Sequence, residues 1–277
     1  MRSAGARAFG NGGLVGLVAV AMLGPACART PAVDARPALP VGPTFRVLTY
    51  NVNFGIAGDP ETIAAIRDAH ADLALLQETN RVWEHTLRAA LSTELPHMVF
   101  RNRGGAGGFA VLSRVPLAET ELVDPSGDGW FGAARVVVDT PFGRMQALSV
   151  HLHPPVSESG SFVSGHFTTP SVRIAEMKSF FAHLVAGIPA LIAGDFNEEE
   201  DGGVMQFLTE KGMLSALARY APDQPTWRWP TVVGTLRRQL DHVVYDPHLD
   251  VVSAEIRQAG RSDHLPVIAV VTSARVR

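Results

Sequence analysis

The chain of 277 residues has a single cysteine, Cys27, so no disulfide can form within it, and with the histidines scattered a structural zinc site is excluded as well. Positive charge is short: 24 Lys and Arg stand against 27 Asp and Glu, a formal net charge of −3. Setting aside Arg2 and Arg7 at the N-terminus leaves 22 basic against 27 acidic residues, or −5. That excludes the broad basic field that draws a protein onto nucleic acid. It lowers a nuclease reading without removing it, since a catalytic site needs no such field. No internal repeat is present. The glycine run Gly104–Gly108 lacks the following helix and Lys-Ser/Thr of a phosphate-binding loop, and reads as a hairpin end. The apolar run Gly12–Ala26 falls short of the roughly 20 residues that a membrane-spanning helix needs.

What is present is enough apolar material for one core, with 46% hydrophobic residues. Arg2 and Arg7 ahead of the apolar run make residues 1–27 an export signal. Leu23-Gly24-Pro25-Ala26 before Cys27 leaves open lipidation of Cys27, ordinary signal cleavage, or an uncleaved anchor. The Ala/Pro-rich residues 28–43 read as a tether, and residues 44–277 as the functional domain. The expected location is therefore outside the cytoplasm, in the periplasm or cell envelope, with a membrane tether through Cys27 if that residue is lipidated.

The chemistry concentrates where apolar runs end. Leu191-Ile192-Ala193 runs into Gly194-Asp195-Phe196-Asn197, and the one-residue gap between Asp195 and Asn197 sends both side chains to one side of an extended backbone. Ser262-Asp263-His264 precedes the β-branched run Val267–Val271. Arg46–Tyr50 ends in Asn51, Asp72–Leu76 in Gln77-Glu78, and Met145–Val150 in His151, while Asp241 lies in the alternation Gln239–Val244. One Asp or Asn at a strand end is ordinary turn chemistry. Six such endings point instead to a shared site handling metal and phosphate.

These motifs, in the order Leu48-Thr49-Tyr50-Asn51-Val52, Leu76-Gln77-Glu78, Ala110–Arg114, Val150-His151-Leu152, Gly194–Asn197, Leu240-Asp241-His242-Val243 and Ser262–Pro266, resemble the endonuclease/exonuclease/phosphatase superfamily. That superfamily includes pancreatic-type deoxyribonucleases, abasic-site endonucleases, neutral sphingomyelinases and inositol polyphosphate 5-phosphatases. The resemblance implies an α/β (α+β) fold, a four-layer α/β/β/α sandwich of two packed mixed β-sheets. It also implies a monomer hydrolysing a phosphoester with Mg²⁺, or Mn²⁺ in its place, by direct attack of an activated water. By the same resemblance Glu78 is the main metal carboxylate, with Asn51 and Asp263 completing or supporting that site. Such a sparse oxygen set suits Mg²⁺, which keeps several waters. His264 matches the essential histidine and Asp241 its orienting partner. Asp195 and Asn197 match the residues that position water and a phosphate oxygen, and His151 a second phosphate donor. Asp195 and the His264/Asp241 pair both remain candidates for the general base.

Three further residues point to the substrate, which is nucleic acid, a phospholipid headgroup or a small phosphoester. Trp227 and Arg228, in Trp227-Arg228-Trp229-Pro230, offer a stacking surface and a charge, and His153 opens a Ser/Gly-rich loop to Thr169. The acidic run Glu198–Asp201 reads as a solvated helix start. The competing reading is a catalytically inactive, surface-anchored binding module of the same fold.

Overall fold

The computed structural model describes residues 42–125, 127–155, 169–232 and 234–274. The export signal and nearly all of the tether, with residues 156–168 of the loop after His153, lie outside the described residues. Among those described, no helix is long and apolar enough to cross a membrane.

The described residues form fourteen strands: β1 (Phe45–Asn51), β2 (Leu73–Gln77), β3 (His97–Arg101), β4 (Phe109–Ser113), β5 (Leu117–Val123), β6 (Ala133–Thr140), β7 (Gly143–His151), β8 (Ala190–Asp195), β9 (Leu214–Ser215), β10 (Trp227–Thr231), β11 (Gly234–Arg238), β12 (Asp241–Tyr245), β13 (Leu249–Ile256) and β14 (Val267–Ser273). Two six-stranded sheets result, in the orders β13-β14-β1-β2-β4-β3 and β5-β6-β7-β8-β12-β9, with β10-β11 as a separate ribbon. All main-sheet pairings are antiparallel except β1 with β2 and β7 with β8. A hairpin at Thr140–Gly143 joins β6 to β7.

The central strands read as unbroken apolar runs because both of their faces are covered. With a period of two, Val47, Leu73 and Leu75 point between the sheets, where they meet Ala147, Leu191, Ala193 and Val243 of the other sheet. Leu48, Ala74 and Leu76 point outward against helices α1 (Pro60–Asp68) and α2 (Arg81–Leu91), whose Ile66, Trp83, Leu87 and Leu91 are buried on them. On the far side α3 (Pro170–Phe181) and α4 (Gly203–Glu210) lay Met177, Phe180, Val204 and Leu208 over Leu148, Ile192 and Val244. The order of layers is thus helix, sheet, sheet, helix. A short α5 (Ala216–Tyr220) starts at Ser215, whose hydroxyl accepts from Ala218 N.

Local chemistry fixes the helix starts. Asp59 accepts from Thr62 N ahead of Pro60, and Asn80 accepts from both Val82 N and Trp83 N. The acidic run corrects an expectation, because Glu198 is buried rather than solvated. Its carboxylate accepts from Val204 N at 2.6 Å and lies 3.3 Å from Arg173 Nε, so it ties the start of α4 to α3. The β7–β8 pair needs a glycine: Gly194 has φ +152, and a Cβ there would stand 1.9 Å from Val150 O.

The two parallel pairings point the carboxyl ends of β1, β2, β7 and β8 to one rim of the sandwich. Asn51 ends level with Gln77, and His151 level with Asp195. Strand β12 enters antiparallel beside β8, with Asp241 opposite Asp195.

Candidate active site

At this rim the side chains close on one another across the two sheets. Asn51 Nδ2 donates to Glu78 Oε1 at 3.0 Å and to Asp195 Oδ2 at 3.1 Å, joining β1, the end of β2 and β8. The orientation of the amide is locked, because Asn51 Oδ1 accepts from Asn53 N at 3.1 Å. His264 Nδ1 lies 2.8 Å from Asp241 Oδ2, and its Nε2 is 3.5 Å from Asp195 Oδ2. His151 Nε2 reaches the same Asp195 oxygen at 3.5 Å. All six motif endings therefore meet at one place.

Burial decides the charge states. It would by itself lower the His264 imidazole, but Asp241 and then Asp195 outweigh it and push His264 up to about 10. Burial takes His151 the other way, down to about 4 against the pull of Asp195, so this second histidine is neutral. Asp195 is raised, chiefly by burial, with His264 opposing. Burial also raises Glu78, against the hydrogen bond from Asn51 and the nearby His264.

Asp195, Asp241 and His264 present three buried ligand atoms within 4.8 Å of one another. A metal needs a neutral imidazole, and the two carboxylates beside His264 favour its protonated form; without an ion the trio acts as an acid–base cluster. A cation fits better around Glu78. Its Oε2 accepts only from Phe54 N at 3.3 Å, Asp263 faces it, and among the described residues no Lys or Arg pairs with Glu78, Asp263, Asp195 or Asp241. Buried carboxylates without a cation are costly. A hard divalent ion on oxygen donors would neutralise them. Asp263 is held at both oxygens, by Asn53 Nδ2 at 2.8 Å and Trp227 Nε1 at 3.0 Å, which makes it a support beside Glu78.

Asn197 places Asp195 through its backbone, donating N–H to Asp195 Oδ1 at 2.9 Å, while its side-chain Nδ2 donates to Leu152 O. His153 is buried. Its Nδ1 meets Pro154 O at 2.7 Å and its backbone N–H donates to Glu176 Oε2 at 2.8 Å, so its contacts lead away from the carboxylates. Trp227 stacks on Trp229, with ring centroids 6.2 Å apart, and bridges to His264.

Sequence reasoning missed several members of the site. Phe131 stacks on His151 at 4.0 Å, and half-exposed Trp130 lies 4.3 Å from the His153 ring. Neither sits in a motif, and no periodic signal marks them. Asn53 was open to detection by its backbone. Asn53, Glu78 and Asn197 all have positive φ, at 60°, 61° and 53°, a strained state for residues with side chains. Concentrated at one rim, that strain marks the place as built for chemistry.

A model of the endonuclease/exonuclease/phosphatase family matches residues 48–264. The chain belongs to this family. Family members are hydrolases acting on phosphoester bonds and use divalent metals. Solved structures agree on the fold at low identity. An endonuclease/exonuclease/phosphatase from Beutenbergia cavernae DSM 12333 is 20% identical, with a TM-score of 0.64 over 84% of this chain and 72% of that one. D. rerio TDP2 complexed with single-strand DNA product is 13% identical, with a TM-score of 0.62 over 83% of this chain and 99% of that one. SmcL is 18% identical, at 0.62 over 83% and 99%. No curated protein matches by sequence.

Proposed function

We propose that the protein hydrolyses a phosphodiester, or a smaller phosphoester, by direct attack of a water on phosphorus, with Mg²⁺ as the working ion and Mn²⁺ as its substitute. The observation that carries this reading is the uncompensated carboxylate rim. Glu78, Asp195, Asp241 and Asp263 converge on one point with His264 as the only positive group there among the described residues. Nucleic acid is one candidate substrate, as the single-strand DNA product bound to TDP2 illustrates for a protein of this fold.

Glu78 would hold the ion, with Asn51 and Asp263 fixing its surroundings. Bound there, a divalent cation supplies charge neutralisation at the phosphoryl oxygens. Asp195 takes the proton of the attacking water: its Oδ2 is fixed by Asn51, and its Oδ1 by the N–H of Asn197. His264 is already charged and so cannot be the base. Held in one orientation by Asp241, it donates from Nε2 to charge developing on the phosphoryl group or leaving oxygen. Neutral His151, fixed by the Phe131 ring, donates on the other side of Asp195. No covalent intermediate is required. We also propose that the protein is exported and acts as a monomer, tethered through Cys27 if that residue is lipidated.

Purified protein with Mg²⁺, with Mn²⁺ or with EDTA is incubated with plasmid DNA, RNA, sphingomyelin, inositol phosphates and bis-p-nitrophenyl phosphate. The reading expects cleavage of at least one class that stops with EDTA and in both Glu78→Gln and His264→Ala, each still folded by circular dichroism. Cleavage unaffected by EDTA, or surviving in both variants, would sink it. No cleavage at all by a folded protein with any of the ions would make the inactive binding module the better reading.

A further inference from the structure

The two histidines of the rim are held in different ways. His264 is fixed by its 2.8 Å contact with Asp241. His151 has no such partner: its Nε2 lies 3.5 Å from Asp195 Oδ2, longer than a normal hydrogen bond, and among the described residues no shorter side-chain bond reaches its ring. The ring is oriented instead by Phe131, which lies flat against it with 4.0 Å between centroids and 18° between planes. Phe131 is outside the sheet. The β6–β7 ladder ends at the pair Ala133 and Val150, so past it the chain carrying Trp130 and Phe131 and the chain running from His151 to His153 share no ladder bonds. Buried N–H groups left in such a gap need other acceptors.

One side chain meets both needs. Glu176, on α3 and without solvent exposure, accepts from His153 N at 2.8 Å, and the Trp130 N–H faces the same carboxylate. The approach is close, since a Cβ on Gly129 would stand 2.4 Å from Glu176 Oε1. One turn earlier on α3, Arg173 donates to His153 O at 3.3 Å, and the rings of Trp130 and His153 meet at 4.3 Å. Burying a carboxylate is costlier than burying an amide or an apolar group. What the carboxylate offers is two acceptor oxygens, one for each chain. A glutamine of the same length has one, because its second terminal atom is an NH₂ donor.

We propose that Glu176 is a positioning residue of the hydrolytic site: by accepting from Trp130 and His153 together, it closes the gap past the β6–β7 ladder and holds the Phe131 ring against His151. The inference rests on the hydrolytic reading above, which makes His151 a donor to the phosphoryl group, and extends that site to a helix that contributes no group to the rim. Glu176 touches neither substrate nor metal. It acts through two backbone N–H groups and one aromatic ring.

The test reads the contact and the chemistry separately, on the full chain. An aromatic ring stacked on an imidazole moves its proton resonances upfield, so NMR of the His151 ring without substrate reports the contact whether or not anything is cleaved. Wild type should show the upfield signals. Glu176→Gln, which keeps an acceptor for His153 but turns an NH₂ toward Trp130, should lose them. Gly129→Ala should lose them too, because it leaves the acid in place and pushes its neighbour away. On the substrate that wild type cleaves, kcat should fall about ten-fold or more with KM within about twofold, a part of the 10²- to 10⁴-fold that a positioned proton donor contributes. In a Phe131→Leu background Glu176→Gln should cost no further kcat, since the contact it serves is already gone. If Glu176→Gln does not fold by circular dichroism, Gly129→Ala carries both comparisons. Signals that stay upfield in the variants overturn the proposal whatever the activity. So does an unchanged kcat in a variant that has lost them, or full additivity of the Phe131→Leu and Glu176→Gln losses. A wild type with upfield signals that cleaves nothing with any of the ions refutes the hydrolytic reading instead, and the signals of the variants still decide whether Glu176 holds the ring.

Discussion

Glu176 gives the domain a stability term that should run opposite to ordinary acid denaturation. The side chain stands on α3 with no solvent exposure. Its Oε2 accepts from His153 N at 2.8 Å, and the Trp130 N–H also faces the carboxylate. The nearest guanidinium, that of Arg173, is engaged with Glu198, Thr169 and the carbonyl of His153. Burial outweighs the His153 hydrogen bond and the Arg173 charge, and pushes the carboxyl from 4.5 up to about 7. Because the folded-state value is the higher one, the contribution to stability is complete below about pH 4.5 and is lost as the pH rises through about 7. A gap of that size corresponds to about 3 kcal/mol at 1.36 kcal/mol per unit. For a domain of this length that is roughly 6–12 °C in Tm. Glu176→Gln removes the titration. Its amide still accepts from His153, while its buried NH₂, without an acceptor, costs about 1–3 kcal/mol at every pH. The difference in Tm, variant minus wild type, should therefore climb by roughly 6–12 °C between pH 4.5 and pH 8, whatever its starting value. Scanning calorimetry of both proteins across that range reads it directly, because the other titrating groups cancel. A difference flat to within about 2 °C would show that Glu176 titrates normally and that the burial argument is wrong.

Two further outcomes test the rim and its scaffold. Asp241→Asn keeps the shape but removes the charge that holds His264 protonated and oriented, so kcat should fall by about 10²- to 10⁴-fold with KM little changed; a fall of less than about threefold would remove Asp241 from its orienting role. Gly194→Ala forces a Cβ to within 1.9 Å of Val150 O at a positive φ, and urea unfolding should register a loss of at least about 3 kcal/mol. A loss below about 1 kcal/mol would mean that the β7–β8 pair tolerates what its geometry forbids.

The central strands were legible because burial on both faces leaves a mark that survives without context. Leu73–Leu76 and Leu191–Ala193 have no other reading, and an acid or amide closing such a run stands out. The hairpin at Thr140–Gly143 was equally open to view through its Pro-Phe-Gly. Elements shaped by single long-range bonds were hidden. The alternation Gln239–Val244 begins two residues before strand β12, which starts at Asp241 because the N–H groups of Leu240 and Asp241 are taken by the Thr226 hydroxyl. Helix α3 ends at Phe181, before the turns at His183 and Leu184 that lead to β8, and nothing in the sequence marks that end. The ribbon β10–β11, β9 and α5 were not anticipated, since short polar strands and a five-residue helix carry no periodicity. The acidic run misled for a related reason: nothing in Glu198–Asp201 tells which member turns inward to meet Arg173. Within the site the carboxylates and histidines announced themselves by position, whereas Phe131 and Trp130 are brought to His151 and His153 only by the fold.

The hydrogen bond from Asn51 to Asp195 spans 144 residues of chain and crosses from one sheet to the other. The rim therefore works as a gauge of alignment between the two layers. A slip of half a residue spacing, about 1.7 Å, would part Asn51 from Asp195 while leaving every strand pairing within each sheet intact. Loss of activity on heating, or on trimming interlayer side chains such as Val47 or Leu191, would then report sliding of the layers at conditions where each sheet is still whole. Seen this way, the close-packed interior is the bench on which two half-sites are held in focus, and inactivation begins as a shear between them.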